Sequence, residues 1–165
     1  ILVQLYVGND DWPNNNWAAA RERVAGEKFR FYVWDAESTF LTANINKTGL
    51  RYFPFWMWPD GNAPDAVVGG SGLFGEETPI AAIFRGLYQN AGFKTQFSDR
   101  AVVLLDNATG PLGDTNVSAR YAVLKALIEP SLKPPLVFND SIGTNWIPNR
   151  RAVLITALQA EGLYP

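Results

Sequence analysis

Two acidic clusters stand close together near the start of the chain. Asp10 and Asp11 sit in Gly8-Asn9-Asp10-Asp11-Trp12-Pro13, just ahead of Asn14-Asn15-Asn16. Asp35 and Glu37 follow the aromatic run Lys28–Trp34. Asp11 and Asn16 are five residues apart, and Asp10 and Asn15 share that spacing, so two registers are open. An aspartate with an asparagine five residues on, followed by a strand that delivers another aspartate, is a layout for holding metal-bound phosphate.

The Asp-x-x-x-x-Asn spacing is the one protein kinases use in their catalytic loop. There the aspartate orients the substrate hydroxyl and accepts its proton, and the asparagine oxygen holds Mg²⁺. Kinases then run through a short hairpin to a second metal-binding aspartate, and here a hairpin leads to Asp35. The competing reading is an Asx-rich loop that folds on itself through side-chain to backbone bonds. Asp35 and Glu37 are two residues apart at a strand end, so their carboxylates are expected to point to one side. Two acids on one side need a cation or a raised pKa. Metal ligation is one answer, and a strand-terminating turn satisfied by Ser38 and Thr39 is another. A glycosidase pair is a third, since residues two apart on a strand are roughly 6.5–7 Å apart, near the inverting range. Functional pairs of that kind flank a sugar from opposite sides, which this pair would not.

Composition narrows the chemistry. The chain has 165 residues with neither cysteine nor histidine. Thiol nucleophiles, disulfides, histidine bases and His/Cys metal sites are therefore excluded. Any metal must take oxygen ligands, which means Mg²⁺, Ca²⁺ or Mn²⁺. A net charge of −2 without a basic run gives no sign of nucleic acid or an anionic membrane surface as partner. Apolar stretches such as Val102–Leu105 are too short to span a bilayer, so no membrane insertion is expected. The length suits one core and one domain, 1–165. The chain opens on Ile1, without Met, inside an apolar element, so it is expected to be a fragment or a protein whose beginning was processed away or not determined, and no signal peptide is read in it. Asn-X-Ser/Thr triplets at Asn46, Asn107, Asn116 and Asn139 permit a glycosylated exterior.

Elements that position these residues follow from pattern. Ile1–Val7 reads as helix turns or a buried strand ended by Gly8. Asn9–Asn16 reads as a loop. Trp17–Arg21 and Lys28–Trp34 read as two strands joined around Ala25-Gly26-Glu27. Phe29, Phe31 and Val33 share one face of the second strand, and Lys28, Arg30, Tyr32 and Trp34 the other. The catalytic-loop and hairpin region thus spans 1–41, and a long loop spans 42–77. From 78 to 165 the chain turns helical. Thr78-Pro79 opens a helix with Ile80, Ile83, Phe84 and Leu87 on one stripe. Phe93–Asp106 carries Phe93, Phe97, Ala101 and Leu104. Asp114 or Thr115 caps the next helix, with Val117, Tyr121, Leu124 and Ile128 expected inward. Pro148 opens the last, with Arg151, Leu154, Ile155 and Leu158 in register and Gly162 as its C-terminal cap. The expected fold class is α+β, mostly helical, with one β-hairpin bearing the catalytic and metal loop.

Three further stretches read as structural. Gly70-Ser71-Gly72-Leu73-Phe74-Gly75 matches G-x-G-x-x-G, but no strand precedes it and Glu76-Glu77 would repel phosphate, so it reads as a flexible loop. Trp56-Met57-Trp58 could stack sugars or a peptide; beside prolines it reads as a rigid loop packed on the core. Arg150 and Arg151 read as surface residues or a buried ion pair.

Taken in order, these residues resemble a known family. Asn9-x-Asp11-Trp12-Pro13-x-Asn15-Asn16-Trp17 and Phe29-Arg30-Phe31-x-x-Trp34-Asp35-x-Glu37-x-x-Phe40 resemble the spore-coat protein H (CotH) kinase family, in particular its larger bacterial secreted members. The resemblance continues through Phe84-Arg85-x-Leu87-x-x-Asn90, Phe93-Lys94-x-x-Phe97-x-Asp99-Arg100 and Gly110-Pro111-Leu112. It ends at Leu158-x-x-x-Gly162-Leu163-Tyr164-Pro165 and covers almost the whole chain. It implies the C-terminal lobe of a protein-kinase-like domain. Asp11 then corresponds to the catalytic aspartate, Asn16 and Asp35 to the Mg²⁺–ATP-binding pair, and Glu37 to a second acid at the metal. The cofactors implied are Mg²⁺ and ATP, with Ca²⁺ as the alternative ion. The small lobe that holds ATP is expected to precede Ile1, so this stretch alone is not expected to be active. The expected function is phosphate transfer to protein Ser/Thr hydroxyls. The alternative is a non-catalytic secreted or cell-surface structural or binding module with a kinase-like fold. The protein substrate or partner is left open.

Overall fold

The computed structural model describes residues 1–9, 12, 16–48 and 79–165. Asp10, Asp11, Asn14, Asn15, the aromatic stretch 52–59 and the glycine stretch 70–75 lie outside the described residues, as does most of the expected loop 42–77.

Helix α1, Leu2–Val7, buries Leu2, Leu5 and Tyr6. It ends where Gly8 takes a left-handed φ of 61°. The Gly8 and Asn9 amides donate back to the carbonyls of Leu5 and Gln4 at 3.2 Å each, satisfying orphan groups at the helix end. A side chain at Gly8 would also meet Trp146 at 2.6 Å, so glycine is needed twice over at this position. Strands β1 (Trp17–Ala20) and β2 (Arg30–Val33) pair antiparallel, with Trp17 opposite Val33 and Ala20 opposite Arg30. They turn through Gly26, whose φ is 87°.

Four longer helices make up the body: α2 (Pro79–Tyr88), α3 (Ala91–Leu105), α4 (Asp114–Ile128) and α5 (Ile147–Ala160). Ile80, Ala81 and Phe84 of α2, Ala101 and Leu105 of α3, and Leu154 and Leu158 of α5 form one core with Leu2, Leu5, Tyr6, Trp12 and Leu163. Phe84 meets the edges of Phe93 (5.7 Å) and Phe97 (5.2 Å), which locks α2 onto α3. The Asn90 side chain caps α3 by accepting from the Phe93 amide at 3.0 Å. At the far end of α5 the Gly162 amide reaches Gln159 O and the Leu163 amide reaches Leu158 O, a Schellman closure that delivers Leu163 into the core. The expected α+β class and its helical majority are what the structure has.

Two expectations need correction. The stripe expected to face inward on α4 does so only in part: Val117 packs half-buried against the core and Tyr121 is half-buried, but Leu124 and Ile128 are exposed and no residue of the helix is fully buried. Its cap is also not Asp114 or Thr115: Gly113 occupies the cap position and Asn107 Oδ1 accepts the Asp114 amide at 3.1 Å. Asp114 instead accepts from Arg151 Nε at 3.1 Å, joining α4 to α5.

Candidate functional site

The site residues hang on the hairpin and on the loop between α1 and β1. Trp12, the residue after the predicted catalytic position 11, is 3% exposed and belongs to the core. Asp11 itself lies outside the described residues. Asn9 is buried and donates to Gln4 Oε1 at 3.0 Å, tying the loop's start back to α1.

Asn16 and Asp35 are brought side by side. The register places Asn16 across from Trp34, whose amide donates to the Asn16 carbonyl at 3.1 Å. Asp35 is the next residue along. Both leave the ladder in the left-handed region, with φ of 60° at Asn16 and 56° at Asp35. Asn and Asp tolerate that region better than other residues with a Cβ, yet still at a cost of about 1 kcal/mol or more each. Trp17 and Val33 pack against the core at this end of the hairpin, so the pair is carried on a fixed base.

Glu37 does not share a strand face with Asp35. Strand β2 ends at Val33, and the left-handed Asp35 breaks the alternation on which the expectation rested. The chain passes into a turn in which the Thr39 amide (3.2 Å) and hydroxyl (2.8 Å) both donate to the Ala36 carbonyl. That is the locally satisfied turn weighed for this stretch, with Thr39 closing it. Asp35 and Glu37 are both exposed, and Asn16 is half-buried. Among the described residues no three acidic side chains cluster closely enough to hold a metal ion.

Beside the hairpin lies an apolar groove of about 460 Å³, walled by Leu2, Trp12, Phe31, Val33, Ile83 and Phe97. Gln4 and Arg100 supply polar atoms on its wall. Such a lining suits hydrocarbon rather than phosphate.

Arg150 is the polar residue that sequence reasoning misjudged. It is fully buried, and its partners are backbone carbonyls rather than an acid. Nε donates to Tyr6 O at 3.0 Å, and the two terminal nitrogens reach Leu5, Asn44, Ile45 and Lys47 carbonyls. The guanidinium fork thus closes the C-terminal end of α1 and the turn at Thr42–Asn44 at once, where helix carbonyls are orphaned and the dipole favours a cation. Burial pushes its pKa down to about 10, with the Tyr6 side chain acting in the opposite sense. Burial likewise lowers Lys47 to about 7, with the Arg150 charge as the second cause. The place of Arg150 beside Arg151, the arginine expected in the inward stripe, gives no signal for this role in sequence.

A second polar cluster was also missed. Asp140 accepts from Tyr121 Oη at 2.7 Å and from Lys125 Nζ at 2.9 Å, which anchors the segment after α4 onto that helix. Desolvation and this hydrogen bond raise Tyr121 to about 12, and the bonds from Lys125 and Tyr121 hold Asp140 below the usual carboxylate value. The spacing of Tyr121 and Lys125, one helical turn apart, was the available hint.

Comparison with protein-family models, with curated proteins and with solved structures found no match to this chain.

Proposed function

We propose that the chain is the mostly helical lobe of a CotH-type kinase domain that moves the ATP γ-phosphate onto protein Ser/Thr hydroxyls with Mg²⁺. Asp11 orients the acceptor hydroxyl and takes its proton. Asn16 and Asp35 offer oxygens to the metal-bound phosphates, and Glu37 adds charge to the same ion. Phosphoryl transfer asks a protein for positioning and charge neutralisation more than for covalent chemistry, so an oxygen-only ligand set is adequate to it. The observation that carries this reading is the hairpin register, which returns Asp35 to the side of Asn16 with both residues in left-handed conformations. The test is incorporation of labelled γ-phosphate from Mg²⁺–ATP by the complete protein and by its Asp35→Ala variant. Transfer that vanishes in the variant supports the reading, and equal transfer in both overturns the metal assignment.

The second reading is a secreted or cell-surface binding module whose acidic turn holds Ca²⁺ or no ion. It is favoured by the exposure of Asp35 and Glu37 and by the lack of an acidic cluster among the described residues. Under it, Mg²⁺–ATP leaves the chain unphosphorylated, and Asp35→Ala changes at most its Ca²⁺ affinity and local charge.

A further inference from the structure

The hairpin has an unused edge. The Trp34 to Asn16 bond sets the phase of the ladder. Ala18 with Tyr32 and Ala20 with Arg30 are then the hydrogen-bonded pairs, because these alternate along an antiparallel ladder. The amides and carbonyls of Phe31 and Val33 must point away from β1. Among the described residues no hydrogen bond reaches them. The side chains are equally open, with Phe29 58%, Phe31 50%, Tyr32 52% and Trp34 52% exposed. A two-stranded sheet is marginal alone, and an open aromatic edge is a template for another strand.

We propose that the outer edge of β2 pairs with the same edge of a second copy of this chain, antiparallel and centred on Phe31, to make a four-stranded sheet. The sequence of the edge is complementary to itself in that register. Lys28 stands opposite Trp34 and Arg30 opposite Tyr32, each pairing occurring twice, so every cation meets an aromatic face. On the other face Phe29 meets Val33 and Phe31 meets its own counterpart. Phe31 and Val33 are also the residues whose backbone groups face outward, as the pairing requires. Residues 17–34 carry Arg21, Arg23, Lys28 and Arg30 against Glu22 and Glu27, a surplus of two positive charges. The two-fold axis sends the two hairpin tips to opposite ends of the sheet, so these surpluses stay apart. Centring the pair on Arg30 would place the two guanidinium groups together, and centring it on Tyr32 would leave Lys28 without an aromatic partner. The ladder stops at Asp35, where the left-handed backbone turns away before Glu27 of one copy and Asp35 of the other come into contact.

The absence of cysteine makes the register readable. Phe31→Cys, Tyr32→Cys and Val103→Cys, the last on the exposed side of α3, introduce one thiol each. A short bis-maleimide should join Phe31→Cys into a covalent dimer far faster than the other two. Light scattering on the unaltered chain should show a concentration-dependent dimer, and Arg30→Glu should raise its dissociation constant about tenfold or more. Circular dichroism checks that each variant is folded. A monomeric unaltered chain at its highest soluble concentration overturns the proposal even if every variant unfolds. Preferential cross-linking at position 32 or 103 overturns it too.

Discussion

Asn16 and Asp35 occupy neighbouring positions at the open end of the hairpin, joined through the bond from the Trp34 amide to the Asn16 carbonyl, and both are left-handed. Backbone strain at a polar pair is a feature that a fold retains only when its surroundings hold it in place. Here the surroundings are Trp17 and Val33, packed on the core one residue from Asn16 and two from Asp35.

Glycine separates the conformation from the chemistry at these positions. Asp35→Gly removes the carboxylate and accepts φ of 56° without strain, so the melting temperature should hold or rise slightly. Mn²⁺ affinity, followed by electron paramagnetic resonance, should fall by about tenfold or more if the carboxylate is a ligand. Unchanged Mn²⁺ affinity would remove Asp35 from the metal site.

Arg150 is expected to be the most sensitive polar position in the chain. Arg150→Met removes the donor to the Tyr6, Ile45 and Lys47 carbonyls, while Leu5 O keeps the Gly8 amide and Asn44 O the Lys47 amide. With about 1–3 kcal/mol for each buried group left unsatisfied, a loss of at least about 3 kcal/mol is expected in urea unfolding. Arg150→Lys should recover little, because an ammonium cannot reproduce the planar fork. Arg151→Lys should cost under about 1 kcal/mol, because its ion pair with Asp114 is partly exposed.

Two glycines should respond in opposite directions. A Cβ at Gly113 would lie 2.2 Å from Asp106 O and 2.7 Å from Asn107 O, both backbone atoms that cannot swing aside. Gly113→Ala should destabilise by about 1–3 kcal/mol or more. Gly86 sits inside α2 with nothing within 4 Å of the added carbon. Gly86→Ala should stabilise by about 0.5–1 kcal/mol. Thermal melts of the two single variants decide both.

Lys47 gives stability a dependence on pH. Burial, reinforced by the Arg150 charge, lowers its folded pKa from 10.5 to about 7. Below pH 7 both folded and unfolded forms hold the proton, and the penalty for a buried charge is constant. Between pH 7 and 10.5 the folded form is neutral while the unfolded form is still protonated, so stability rises with pH at up to about 1.4 kcal/mol per unit. Lys47→Met should flatten that rise in urea titrations between pH 7 and 9. A slope that persists in the variant would assign it to another group.

Local chemistry written in the residues determined where the elements begin and end. Gly8 and Gly162 close helices because only glycine accepts the left-handed turn cheaply, Gly26 bends the hairpin, and Pro79 opens a helix where a missing amide costs nothing; Pro148 does not open the last one, because the π-helical turn Ile142–Trp146 runs directly into α5. The α+β class, the hairpin and the stripe of Ile80, Phe84, Leu154 and Leu158 follow from periods that any isolated segment displays. Tertiary structure alone decided the rest. Whether the apolar stripe of α4 is covered depends on which helices reach it, and Leu124 and Ile128 are left exposed. Arg150 became a hub because α5 laid it against the ends of two other segments more than a hundred residues away in sequence, a meeting that no local pattern encodes. Asn16 and Asp35 carry their residue types in the sequence, but their adjacency comes from strand register. Their shared left-handed backbone is one that Asn and Asp tolerate locally, and Trp17 and Val33 pack on the core beside it.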